Sequence, residues 1–119
     1  MARHNEFGKK GEDMAAALLS ENGYIILERN YRFKKAEIDI VARKGDILAI
    51  VEVKSRSSDV IINPKDAIKA KKIKLLTLAA NEYVIANDLD VEVRFDVVSI
   101  VKEKESYRIA HIEDAFYHF

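Results

Sequence analysis

The sequence predicts an α/β fold whose elements run α-β-β-β-α-β-β. Three observations carry that prediction. A helical apolar stripe stops at Asn22-Gly23, short apolar runs of strand character follow between residues 24 and 54, and Asn63-Pro64 opens a second long helical pattern.

The first helix is predicted over Asn5–Asn22. Ala15, Ala16, Leu18 and Leu19 give its apolar stripe, and Gly23 accepts the left-handed conformation that ends helices. Glu12 precedes Ala16 by four residues and Leu19 by seven, which places it on or beside the inward face. Glycines at 8 and 11 weaken the helix but let another backbone, or a ligand, approach closely.

Strands are predicted over Tyr24–Asn30, Glu37–Ala42 and Asp46–Lys54, the last two joined through Arg43-Lys44-Gly45 as a hairpin. Residues 55–62 form a polar loop ending in Val60-Ile61-Ile62, an apolar triplet that suits either a homodimer contact or a buried turn. Asn63-Pro64 reads as N-cap plus first-turn proline, and the helix runs to Asn87 with Ala67, Ile68, Leu75, Leu76, Ala79, Ala80 and Tyr83 at helical spacing. Val91–Val101 and Tyr107–Ile112 read as a closing hairpin, and the aromatic tail after Ile112 as a segment that docks back.

The chain has 119 residues, which suits a single domain spanning 1–119. With 49% hydrophobic and 34% charged residues, its composition is that of an ordinary globular protein. No apolar run approaches the roughly 18 residues of a membrane span, and no signal-peptide pattern opens the chain, so a cytoplasmic protein without membrane contact is expected. The absence of cysteine excludes disulfides, thiol chemistry and cysteine-held zinc. A net charge of zero argues against a nucleic-acid partner, but residues 29–74 hold 13 Lys/Arg against 6 Asp/Glu, so the basic excess is local.

Inside that basic segment lie Glu37-Ile38-Asp39 and Glu52-Val53-Lys54. Glu52 and Lys54 interrupt the otherwise apolar run Ile47–Lys54, where an unpaired charge costs several kcal/mol. A divalent cation with a phosphate would satisfy two acids and a lysine together. If the hairpin turn is centred on Lys44-Gly45, Glu37 faces Glu52 and Asp39 faces Ile50, and all of these share one sheet face with Lys54. Asp39 and Glu52 are then diagonal neighbours roughly 7–8 Å apart at the backbone, a gap that two carboxylate arms close on one cation. A three-residue turn would separate them. Hard oxygen donors favour Mg2+ or Mn2+, and Lys54 would orient a water or neutralise charge on phosphorus. The competing interpretation of the same spacing is a structural ion pair, Glu52 and Lys54 side by side, with Asp39 accepting turn or loop hydrogen bonds.

The acid at Asp39 followed by Glu52-Val53-Lys54 resembles the PD-(D/E)XK nuclease signature. More widely, Gly8-Lys9-Lys10-Gly11-Glu12, Arg29-Asn30-Tyr31-Arg32, Glu37-Ile38-Asp39-Ile40-Val41-Ala42, Val51-Glu52-Val53-Lys54-Ser55-Arg56 and Arg94-Phe95-Asp96-Val97-Val98 resemble the YraN family of small bacterial endonuclease-like proteins. The Val51–Arg56 block is also similar to archaeal Holliday-junction resolvases. The resemblance covers most of the chain. It implies a restriction-endonuclease-like three-layer core, a mixed β-sheet flanked by helices. It also implies that Asp39, Glu52 and the Val53 carbonyl hold Mg2+, that Lys54 is the catalytic lysine, that Glu12 is an additional acid at the metal, and that Glu37 supports the site. Ala36 and Ile73 depart from the family, which often has glycine and glutamine there; the second change leaves Lys72 to work alone.

Arg32 and Arg56 flank the site strands, and Lys65, Lys69 and Lys72 share a helical face, so these five are the candidates for tracking a nucleic-acid backbone; the wet side of an amphipathic helix is the alternative for the lysines other than Lys72. The expected function is a metal-dependent DNA endonuclease hydrolysing phosphodiester bonds, selective for branched DNA structure rather than sequence. A catalytically silent nucleic-acid-binding protein of the same fold, or a structural adaptor domain, are the alternatives.

Overall fold

The structure, a computed structural model, describes residues 2–57 and 69–115, with side chains from Phe7 onward. Its elements are α1 (Ala2–Glu21), β1 (Ile25–Phe33), β2 (Ala36–Lys44), β3 (Ile47–Ser57), α2 (Ala70–Ala86), β4 (Glu92–Lys102) and β5 (Tyr107–Ile112), the order expected. They build one five-stranded sheet in the order β1-β2-β3-β4-β5. The β3–β4 pair is parallel and the others are antiparallel. A parallel pair needs a crossover, and α2 lies on it.

Each face of the sheet carries one helix. On one side Ile38, Val41, Leu48, Ile50 and Val97 pack against Ile73, Leu76, Ala79 and Tyr83 of α2. On the other, Ile40, Ala42, Ala49, Val51 and Val98 pack against Ala15 and Leu19 of α1. The central strand β3 is therefore covered twice, which accounts for its unbroken apolar run. Leu48, Ile50 and Val51 are essentially inaccessible, each contributing roughly 1.5–3 kcal/mol of burial. The arrangement is the three-layer mixed-sheet core expected from the sequence.

The end of α1 follows from Gly23. With φ at +93° it allows Gly23 N–H to reach Ser20 O and Tyr24 N–H to reach Leu19 O, a Schellman closure sealed by the buried Leu19 and Tyr24 side chains. Gly11 serves a different purpose. A Cβ there would lie 2.1 Å from Ser55 Oγ and 3.3 Å from Ser55 Cβ, so the missing side chain is what lets α1 lie on β3.

Three details differ from the sequence reading. First, β1 extends to Phe33 and joins β2 through a two-residue Lys34-Lys35 loop, with Lys34 at φ 56°; no glycine or asparagine marks that turn. Second, the β2–β3 loop is Gly45-Asp46, not Lys44-Gly45, because Lys44 pairs with Ile47 and Gly45 takes the positive φ of 59°. Third, Lys69 is extended (φ −81°, ψ 154°) and α2 begins at Ala70, so the expected helix does not run through Lys69 and that side chain does not share a helical face with Lys72. The expected start at Asn63-Pro64, Lys65 and the Val60-Ile61-Ile62 triplet lie outside the described residues. Ala115 N–H donates to Phe95 O, so the tail docks as far as it is described. No described helix is long and apolar enough to cross a membrane.

Candidate functional site

The one-position change in the hairpin loop shifts the β2–β3 pairing by two residues. It keeps the parity of the pairing as far as Ile40–Val51, but the single face expected for Glu37, Asp39, Glu52 and Lys54 does not extend past Asp39. The last paired rung is Ile40–Val51, and the next residues outward on the two strands are Asp39 and Glu52. Glu37 does not face Glu52; instead it lies near Arg32, 3.7 Å away on the surface. Where the backbone ladder stops, Asp39 Oδ2 accepts the Val53 N–H at 2.9 Å. Ile38 and Val41 both pack on the α2 side while Ile40 packs on the α1 side, so the alternation of β2 breaks at Asp39. Glu37 and Asp39 consequently border clefts on both faces of the sheet.

Glu52 is 3% exposed. Its Oε2 receives the Lys72 ammonium at 2.5 Å, and Lys54 Nζ is 3.7 Å from the same oxygen. Its Oε1 is buried with no hydrogen-bond partner. Burial, and then the charge of Glu52, push the Asp39 carboxyl up to about 7 against the pull of the Val53 N–H, with Glu12 adding to the rise. Burial draws the Lys72 ammonium down, but its bond to Glu52 and the charge of that carboxylate outweigh this and hold it above the ordinary lysine value.

The larger cleft, about 740 Å³, opens on the α1 side. It gathers Glu12, Arg32, Glu37, Asp39, Val53 and Lys54, six of the residues singled out from the sequence, and adds Lys9, Arg29 and Asn30. Glu12 Oε1 accepts from Arg29 Nη2 at 3.1 Å and Asn30 Nδ2 at 3.0 Å, and Arg29 also reaches Asp13 at 2.7 Å. The Glu12 carboxylate is thereby steered by β1. The smaller cleft, about 430 Å³ on the α2 side, collects Lys35, Lys69, Lys71 and Lys72 beside the same Glu37 and Asp39. Arg56 lies further along β3 and lines neither cleft.

Among the described residues, no three carboxylate, imidazole or thiolate groups converge closely enough to hold a metal by themselves. A cation at this position would therefore rely on Asp39, Glu52 and main-chain oxygen such as the Val53 carbonyl. The donor set fits such an ion: all donors are hard oxygens, one carboxylate oxygen is buried and unsatisfied, and the neighbouring carboxyl is raised first by burial and then by the charge of Glu52. Mg2+ or Mn2+ matches this chemistry.

A second polar cluster escaped the sequence reading. Asp96 on β4 is fully buried and holds Arg94 Nε at 2.9 Å, His111 Nε2 at 2.8 Å and the Asp114 N–H at 3.0 Å. Arg94 Nη2 also donates to the Tyr24 hydroxyl, and Tyr24 stacks edge-on against His111. Burial pushes Asp96 up, yet His111, Arg94 and Asp114 outweigh it and keep the carboxyl below its ordinary range. The signal available in sequence was the i,i+2 pair Arg94–Asp96 on one face of a strand; the contribution of His111 came only with the pairing of β5 to β4.

Residues 11–100 match the model of a family described as uncharacterised protein family UPF0102. Similar proteins include a UPF0102 protein of Flavobacterium psychrophilum, 56% identical over all of both chains. Another from Christiangramia forsetii is 51% identical over all of both chains. One from Parabacteroides distasonis is 45% identical over 98% of this chain and 97% of its own.

Proposed function

The chain belongs to the uncharacterised protein family UPF0102, and from its site we propose that it is a metal-dependent endonuclease acting on DNA. The observation that carries this reading is the buried, unpartnered Oε1 of Glu52 beside the raised carboxyl of Asp39. Two acids so placed repel unless a cation or a proton lies between them. The basic cleft walls, Lys9, Arg29, Arg32 and Lys54 on one side and four lysines on the other, supply what a polyanionic substrate needs. The resemblance to PD-(D/E)XK nucleases supports the same assignment, with structure-selective cleavage of branched DNA as its finer form.

In this reading Asp39 and Glu52, with the Val53 carbonyl, hold Mg2+ or Mn2+. When bound, that ion polarises the phosphodiester and lowers the pKa of water. The Val53 N–H fixes the Asp39 rotamer, so one carboxylate oxygen is committed to the protein. Lys54, partly exposed and next to Glu52, orients the attacking water or neutralises charge at phosphorus. Glu12, aimed by Arg29 and Asn30, borders the same cleft as an additional acid. Arg32 and Lys72 contact the backbone of the substrate.

A second reading, a structural adaptor whose acids form ion pairs, draws on Lys72 and Lys54 both approaching Glu52 Oε2. Cleavage of branched and linear DNA in Mg2+ or Mn2+ decides between them. Cutting by wild type that disappears in Glu52→Ala and Lys54→Ala supports the nuclease. Binding without cutting on every substrate supports a silent DNA-binding protein, and neither binding nor a Mn2+-dependent rise in Tm supports the adaptor.

A further inference from the structure

The two oxygens of Glu52 stand in opposite circumstances. Oε2 is neutralised by Lys72 at 2.5 Å with Lys54 behind it at 3.7 Å, whereas Oε1 is buried and bare. A buried carboxylate that stays ionised requires positive charge nearby, whether or not a metal is present. An ammonium and a divalent ion on the same carboxylate meet this need in the same way, and each disfavours the other through like-charge repulsion.

Lys72 is built for exchange rather than permanence. It sits in the first turn of α2, its side chain is 44% exposed, and it lines the open cleft that also holds Lys35, Lys69 and Lys71. Ile73, the next residue, is buried in the core and anchors that turn. We propose that Lys72 is a built-in counter-ion that holds Glu52 when the site has no metal and competes with the divalent cation for it, moving into the α2-side cleft when the cation binds. This rests on the cation site proposed above.

The test is calorimetric titration of Mn2+ into the full chain as wild type, Lys72→Met and Lys72→Gln. Loss of the ammonium is expected to tighten Mn2+ binding by about tenfold in both variants, the size of a charge-assisted hydrogen bond discounted for partial exposure. Glutamine keeps a hydrogen bond without the charge, so tightening in that variant assigns the effect to charge. In EDTA both variants melt below wild type, and the gap closes in saturating Mn2+. Equal or weaker Mn2+ binding by variants with the wild-type circular dichroism spectrum overturns the proposal and leaves the cation site standing. No Mn2+ binding by any of the three removes the cation site and the proposal with it.

Discussion

Asp39 Oδ2 accepts the Val53 N–H one residue beyond the last rung joining β2 to β3. The side chain takes over where the backbone ladder ends, and so the carboxylate is held beside Glu52 by sheet geometry. Asp39→Asn retains an acceptor for Val53 and loses the charge; Asp39→Ala loses both. Mn2+ affinity is expected to fall in each by more than the ~10–100-fold typical of outer-shell changes. In EDTA at pH 8 the two separate, with Asn at least as stable as wild type and Ala about 1–3 kcal/mol below Asn for the orphaned N–H. Equal urea midpoints for the two variants would remove the anchoring role.

The half-buried Asp39 and the buried Asp96 titrate with opposite consequences. Asp39 is raised to about 7, so the folded chain holds a proton that the unfolded chain releases near the ordinary carboxylate value of about 3.9. Its contribution to stability is present at low pH and is lost as pH rises to about 7. Asp96 is lowered, so its contribution is present above the ordinary carboxylate range and is lost as pH falls below it. In EDTA, Asp39→Asn should flatten the decline towards neutrality and leave the acid limb intact. Mn2+ should stabilise the wild type increasingly as pH passes 7, because it selects the ionised Asp39. Urea midpoints from pH 3 to 8.5 check both slopes.

The glycines of α1 are expected to respond in opposite directions. A Cβ at Gly8 meets nothing within 4 Å, so Gly8→Ala should stabilise by roughly 0.5–1 kcal/mol through helix propensity. At Gly11 the same propensity gain is opposed by Ser55 Oγ at 2.1 Å, and overpacking of this kind costs roughly 1–3 kcal/mol. Ser55 Oγ is itself buried without a partner, so Ser55→Ala should relieve Gly11→Ala in a double-mutant cycle. Additive values would show that α1 reaches β3 by another contact.

Asp96 ties β4 to β5 and to the chain beyond it. Asp96→Ala leaves Arg94 charged and partly buried among groups that no longer balance it, and should cost about 3–5 kcal/mol. Because Asp96 accepts the Asp114 N–H, the first visible consequence should be release of the C-terminal segment. Limited proteolysis should then cut after Ile112 well before the core opens. Simultaneous loss of both would mean that the cluster stabilises the whole sheet rather than the tail.

Local chemistry by itself determined much of this protein. The stop of α1 at Gly23, the helix and strand order, the position of β5 and the even loop that puts Asp39, Glu52 and Lys54 within reach of one another all follow from turn residues and periodicities of a few residues. Those signals act over short stretches, and the chain carries them clearly. The tertiary structure decided which carboxylates meet, because a single change of loop position left Asp39 and Glu52, rather than Glu37 and Glu52, as the residues next beyond the last rung. It also brought Lys72 to Glu52 across 20 residues, Arg29 and Asn30 to Glu12, and His111 to Asp96. Such pairings are set by how helices seat on a twisted sheet and by burial that penalises every unmatched charge, and no local pattern in the sequence encodes them.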